Sequence, residues 1–213
     1  MKNKKLLIAI LCIFVFDLPG AANRIRQNFD FDWQFRLGEN GDFREVQLPH
    51  DWSVELDFDE KAGGASGYLP GGIGWYRKSF MIPASYKNQK VSLVFDGIYH
   101  KATIFLNGKE IAYHRYGYTS FETDLTPFLK YGESNDLKIK VDHSEISRWY
   151  TGSGIYRHVW LQVTNPVHVK MWGTYVTTPE ITESQYKPQN KMFRFYKTFC
   201  SRITLINTNQ NVI

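Results

Sequence analysis

The sequence predicts an all-β chain folded as an antiparallel β-sandwich. Three observations carry that prediction. Apolar residues alternate along several short runs, as they do in strands with one buried face. Turn residues recur between those runs at short intervals. Almost no stretch shows the three-to-four-residue apolar period of an amphipathic helix.

The elements follow in chain order. Trp33–Leu37 (WQFRL) and Gly74–Ile82 (GWYRKSFMI) read as strands. Lys90–Asp96 (KVSLVFD) sets Val91, Leu93 and Phe95 on one face. In Ala102–Tyr113, Asn107-Gly108 separates two apolar runs. Asn-Gly favours the type I′ turn, which matches strand twist, so a hairpin is expected there. Thr123–Asn135 reads as a connection, stiffened by Pro127 and closed by a turn over Gly132–Asn135. Asp136–Asp142 (DLKIKVD) alternates Leu137, Ile139 and Val141 with Lys138 and Lys140, a half-buried strand. His158–Thr164 (HVWLQVT) alternates Val159, Leu161 and Val163, and Val167–Thr178 forms a last strand or pair. Asp51–Gly74 is acid-rich, then glycine-rich, and aperiodic. A loop of that length is usually functional or disordered.

The ends read differently. Lys2, Lys4 and Lys5 precede an apolar run from Leu6 to Phe16, and Gly20 and Ala22 supply small residues. That pattern predicts a secretory signal peptide over residues 1–22 and an exported product, periplasmic or extracellular. The apolar run is too short to span a bilayer, so no membrane partner is expected after cleavage. Residues 184–213 hold five cations and no acid, and the leader carries a net +2. A total of +5 therefore leaves the body between them at −2. A mildly acidic body lacks the basic stripe that a nucleic-acid partner requires. Cys12 lies in the leader and Cys200 in the tail, so the body makes no disulfide. The expected organisation is a signal peptide (1–22), a sandwich (23–178), then a linker and tail (179–213). The tail reads either as a disordered basic segment or as out-of-frame translation.

Several chemistries find no support. The six histidines are scattered without ligand spacing, so no metal or other cofactor is expected. The glycine-rich AGGASGYLPGGIGW lacks the G-x-x-x-x-G-K-[ST] pattern of a phosphate cradle. Ser153 sits in G-S-G rather than in a G-x-S-x-G elbow. His50 and Asp51 are adjacent, so in extended chain they point opposite ways and form no relay with each other.

Three stretches stand together: LPHDWSVE (Leu48–Glu55), GGIGWYRKSF (Gly71–Phe80) and SRWYTGSGIYRHVWL (Ser147–Leu161). Across Phe29–Thr178, in this order, the chain resembles the N-terminal sugar-binding domain of glycoside hydrolase family 2. That group comprises β-galactosidases, β-glucuronidases and β-mannosidases. The resemblance implies a jelly-roll-like, galactose-binding-domain-like sandwich. It also implies partners that follow it: an immunoglobulin-like domain, then a (β/α)₈ barrel carrying two catalytic glutamates. The carbohydrate partner would be a β-galactoside or related glycoside.

The resemblance places His50, Asp51 and Trp52 on the side nearest the barrel and makes Tyr68 an aromatic candidate on a loop reaching toward the substrate. Arg148 offers forked hydrogen bonds, and Trp149 and Tyr150 offer ring faces to a sugar. The structural alternatives are a turn capped by Asp51, ring packing at the sandwich edge, and an Arg148 ion pair. Tyr156, Arg157 and Trp160 read as structural. A retaining glycosidase needs two carboxylates about 5–5.5 Å apart, and a barrel takes about 250 residues. Residues 179–213 hold only Glu180 and Glu183 as acids. No residue of this chain is therefore expected to be catalytic. The expected product is a non-catalytic domain, truncated or frameshifted, or else an independent exported carbohydrate-binding or adhesive module. Without neighbouring domains, a face carrying Trp52, Tyr68 and Trp149 is expected to be exposed.

Overall fold

A computed structural model describes residues 24–145, 147–177 and 200–206. The expected signal peptide and most of the expected linker and tail lie outside the described residues. Twelve strands are present among those described: β1 (Ile25–Asn28), β2 (Trp33–Leu37), β3 (Arg44–Val46), β4 (Gly72–Met81), β5 (Lys90–Phe95), β6 (Ala102–Leu106), β7 (Lys109–His114), β8 (Phe121–Asp124), β9 (Ser134–His143), β10 (Val159–Thr164), β11 (His168–Thr177) and β12 (Cys200–Ile206). They form a six-stranded sheet in the order β3-β2-β4-β9-β6-β7 and a four-stranded sheet in the order β1-β10-β5-β8. β11 and β12 pair as a separate ribbon. Every ladder between these strands is antiparallel. The chain is the all-β sandwich that its alternation predicts.

The alternation explains the core. On β9, Leu137, Ile139 and Val141 are fully buried while Lys138 faces solvent. Across the register, Ile139 pairs with Tyr76 of β4 on one side and Ile104 of β6 on the other. The opposing sheet contributes Val91, Leu93 and Phe95 of β5 and Val159, Leu161 and Val163 of β10. These side chains join one apolar cluster with Trp33, Phe35, Trp52 and Tyr76. Side chains of alternate strand positions from two sheets thus close a single core, as packed sandwiches do.

The Asn107-Gly108 turn forms as expected, with both residues at positive φ (52° and 82°). Asn107 has a second task, because its Nδ2 donates to the Phe128 carbonyl (2.9 Å) and to Asn135 Oδ1 (2.9 Å). The hairpin is thereby tied to the Pro127 connection. The segment expected as a loop over Asp51–Gly74 holds no strand before β4 takes up its last three residues, but it is locally ordered. It contains three short 3-10 turns, at Trp52–Glu55, Glu60–Ala62 and Gly64–Ser66. Asp51 and Asp59 cap the first two by accepting amides two residues on.

Candidate sugar-facing rim

The three stretches singled out in the sequence meet at one end of the six-stranded sheet. β9 ends at His143, and the chain then runs through Ser147–Gly154 before entering β10. β4 begins nearby, with Gly72 paired to His143. The Leu48–Glu55 segment lies across this junction. The His50 amide donates to the Ile155 carbonyl (2.9 Å) and the Trp52 amide to the Ser153 carbonyl (3.1 Å).

Gly154 is the reason they can meet. It holds φ +112°, and a Cβ there would lie 2.2 Å from Tyr76 Oη and 3.0 Å from the His50 carbonyl. Only glycine offers both that backbone and that clearance. The glycines of T-G-S-G thus let three distant segments approach at backbone distance.

Asp51 is the fastening point of the rim. Its Oδ1 accepts the Ser53 amide (3.1 Å) and the Ser153 amide (2.8 Å). Its Oδ2 accepts a hydrogen bond from the Tyr150 hydroxyl. Burial, followed by the Asp51 carboxylate, raises the Tyr150 phenol well above its usual value, so it stays a donor. His50 points the other way, as adjacent residues in extended chain must. Its Nδ1 lies 2.7 Å from Tyr76 Oη, and its Nε2 lies 3.3 Å from Glu55 Oε1. Burial lowers the His50 pKa, and burial raises that of Tyr76 well above normal.

Below the rim lies a buried polar chain. His143 Nδ1 is 2.6 Å from Ser153 Oγ, which bonds Ser53 Oγ, which donates to the Pro70 carbonyl (2.6 Å). A carbonyl only accepts, so Ser53 spends its proton there. Ser153 must then donate to Ser53, and His143 Nδ1–H must donate to Ser153, if every member is satisfied. The direction matters: this histidine donates to the serine and accepts nothing from it. Ser153 is fully buried. It is not an activated nucleophile, in agreement with the absence of an elbow motif. Burial, with a smaller effect from His100, pushes the His143 pKa down to about 4.

The predicted site residues therefore separate into two groups. Asp51, Arg148, Trp149 and Tyr150 come together at the rim, and the last three are exposed. Tyr68 is half exposed at φ +61°. His50 and Trp52 belong to the interior. Trp52 is 1% exposed, stacks on Phe35 (5.5 Å between centroids) and lies over Gly74. The expectation of an exposed face including Trp52 is corrected here, because its indole completes the core beneath the loop. His50 and Trp52 are buried, at 7% and 1% exposure. Tyr156, Arg157 and Trp160 act structurally, donating to the Gly117 carbonyl (2.9 Å), the Asp96 carbonyl (3.3 Å) and Asp96 Oδ2 (2.9 Å).

Sequence reasoning missed the β7–β8 connection. It brings Tyr116 and Tyr118 to the same rim, where Trp149 Nε1 donates to Tyr118 Oη (3.0 Å). The clue was present as two tyrosines flanking Gly117 in a turn. No local period connects that turn to Trp149, 31 residues on. A concave cleft lies elsewhere, on the outward face of the six-stranded sheet, lined by Gln34, Glu45, Arg77 and Lys138 among others.

Chemically the rim offers rings, hydroxyls and a guanidinium, but no pair of free carboxylates. Asp51 already accepts three hydrogen bonds, and Glu55 is engaged by Arg44 and His50. Among the described residues no three metal-ligating side chains cluster. No helix there is long and apolar enough to cross a membrane.

Comparison with known proteins gives this rim a family. Residues 68–166 match the family model described as glycosyl hydrolases family 2, sugar binding domain. A β-galactosidase of Bacteroides ovatus is 45% identical over 176 residues, covering 76% of this chain and 21% of that enzyme. A β-glucuronidase of Bacteroides fragilis is 30% identical over 199 residues, 87% of this chain and 28% of that one. Among solved structures, a family 2 glycosyl hydrolase from Bacteroides cellulosilyticus superposes with a TM-score of 0.66 at 41% identity. It covers 74% of this chain and 23% of that one. A β-glycosidase from Bacteroides vulgatus gives 0.67 at 41% identity, with 72% and 22% covered. The chain thus spans less than a third of each of these relatives.

Proposed function

We propose that this chain, which carries the sugar-binding domain of glycosyl hydrolases family 2, is the non-catalytic half of a site for a β-galactoside or related glycoside. The observation that carries this reading is the rim itself. Arg148, Trp149 and Tyr150 are exposed, yet Tyr150 and the following loop are clasped by Asp51. Exposed rings on anchored backbone suit the C–H face of a pyranose, while the guanidinium suits its hydroxyls. Tyr68 stands at the glycine-rich loop as a further candidate contact. The hydrolytic carboxylates are assigned to a barrel domain beyond these residues, because the rim offers no free pair at the separation a retaining mechanism needs.

In this reading the chain is exported. It either functions beside immunoglobulin-like and barrel partners or is a piece separated from them by truncation or frameshift. Supporting this, the relatives named above are several times longer than the matched region. Reading the downstream nucleotides in all frames tests it; a downstream region without sandwich- or barrel-encoding sequence would overturn the parent-enzyme reading. Calorimetry with β-galactosides and β-glucuronides tests binding. Weak affinity is expected of the chain alone, because one wall of the site is missing. Tight, saturable binding would instead favour an independent carbohydrate-binding module.

A further inference from the structure

We infer that the β7–β8 connection, Arg115–Ser120, extends the rim into an aromatic platform for a glycan of two or more pyranose units, with Tyr116 and Tyr118 as its contacts. The inference rests on the sugar-binding reading of the rim and adds a subsite and a ligand length to it.

Four rings are exposed together: Tyr116 (60%), Tyr118 (42%), Trp149 (58%) and Tyr150 (40%). They come from two loops and are joined across them. Tyr116 meets Tyr118 edge-on, with centroids 5.8 Å apart, and Tyr118 accepts the Trp149 indole N–H at 3.0 Å. Because that indole supplies the proton of the shared bond, the Tyr118 hydroxyl keeps its own proton for an outside acceptor. A sugar hydroxyl is such an acceptor. Rings in this succession are broader than one pyranose, and each presents the apolar face that sugar C–H groups stack on.

The platform is held from below. Tyr118 packs edge-on against Tyr99 (5.4 Å), and Tyr99 packs edge-on against buried His143 (5.0 Å). Gly117 is buried against Tyr99, where a Cβ would lie 2.2 Å from the ring. Its carbonyl accepts the Tyr156 hydroxyl at 2.9 Å. Exposed aromatics are usually free to turn, but Tyr118 stands on half-buried Tyr99, which rests on buried His143. A surface ordered before binding loses less entropy when a ligand arrives. The rings are tipped with hydroxyls, and Arg115 and Arg148 are exposed in the same two loops. That mixture suits a polyhydroxylated chain better than an apolar protein surface. Both loops also fall within the residues that match the sugar-binding family model.

The experiment is an NMR titration of the full chain with methyl β-galactoside, methyl β-glucuronide and the matching β-linked trisaccharides, at millimolar ligand. The trisaccharide of the preferred sugar should bind roughly tenfold more tightly than its methyl glycoside, the equivalent of one ring contact and one hydrogen bond. Tyr116→Ala should remove that increment while leaving methyl-glycoside affinity in place; Tyr118→Ala should remove it and also weaken the methyl glycoside, because it frees the Trp149 indole. Tyr118→Phe, which keeps the fold and the ring, should remove part of it and shift the indole N–H resonance of Trp149. Equal affinity for both lengths, or an increment that survives both alanine variants, overturns the platform while leaving the sugar reading intact. A folded chain whose rim resonances respond to none of the four ligands overturns the sugar reading itself. Concentration-dependent dimers abolished by Tyr116→Ala, with no length increment, would make the patch an interface between copies and overturn the platform.

Discussion

Gly154 and Asp51 hold the rim by different means. Gly154 gives room, and Asp51 gives bonds. Gly154→Ala must move Tyr76 or the His50 backbone, because its Cβ would overlap Tyr76 Oη, and it must strain φ as well. A loss of about 2–4 kcal/mol is expected from overpacking plus backbone strain, measured as a lower urea midpoint with unchanged slope. Asp51→Ala leaves the Ser153 amide and the Tyr150 hydroxyl without an acceptor. A cost of about 1–3 kcal/mol is expected, mainly from that buried amide. Hydrogen exchange should show faster exchange at Ser153 than at the amides of β9. Equal protection in the variant and the parent would remove Asp51 from this role.

At the scale of the element, the junction between β9 and β10 is a polar structure inside an apolar one. The chain from His143 through Ser153 and Ser53 to Pro70 needs a proton on His143 Nδ1, which the neutral ring already supplies, and burial disfavours a second one. Its folded pKa of about 4 lies below the ordinary value of 6.5. Between these values the unfolded chain binds more protons than the folded one, so stability rises with pH. The contribution is complete above about pH 6.5, falls as the pH drops toward 4 and is gone below it. It amounts to at most about 3.5 kcal/mol, from the pKa difference at about 1.4 kcal/mol per unit. His50 and His100 are displaced in the same direction by burial and add to the same trend. His143→Gln should flatten the decline in melting temperature over this window. A decline of unchanged steepness would place the acid sensitivity elsewhere.

On the scale of the whole molecule, two sheets share one core, and the residues of the proposed rim collect at one end. The exposed apolar surface is broad there and along Asp51–Gly74, where Val54 is 61% and Phe58 78% exposed. Such patches mark surfaces that meet something. A soluble chain that associates as its concentration rises is therefore expected, with sedimentation velocity as the measurement. Phe58→Ser and Val54→Ser should each reduce the association. A strictly monomeric species at high concentration would count against these surfaces being interfaces.

The sequence by itself determined the strands whose side chains alternate: β2, β4, β5, β6, β7, β9, β10 and β11 were all legible. Their apolar faces are repeated locally, and local repetition is what pattern reading detects. The hairpin at Asn107-Gly108 was legible for the same reason, because its turn chemistry sits in two adjacent residues. β1, β3 and β8 were not, since they are short and mostly polar and are stabilised by the neighbours they pair with. Three motifs in one order pointed to the rim, but only the tertiary structure decided which of their residues face outward. Asp51 and Trp52 are neighbours in the chain, yet one clasps the loop and the other fills the core. Tyr118 and Trp149 look unrelated in the chain and share a hydrogen bond. Burial and contact across long separations depend on how two sheets close on each other, and no local period encodes that closure.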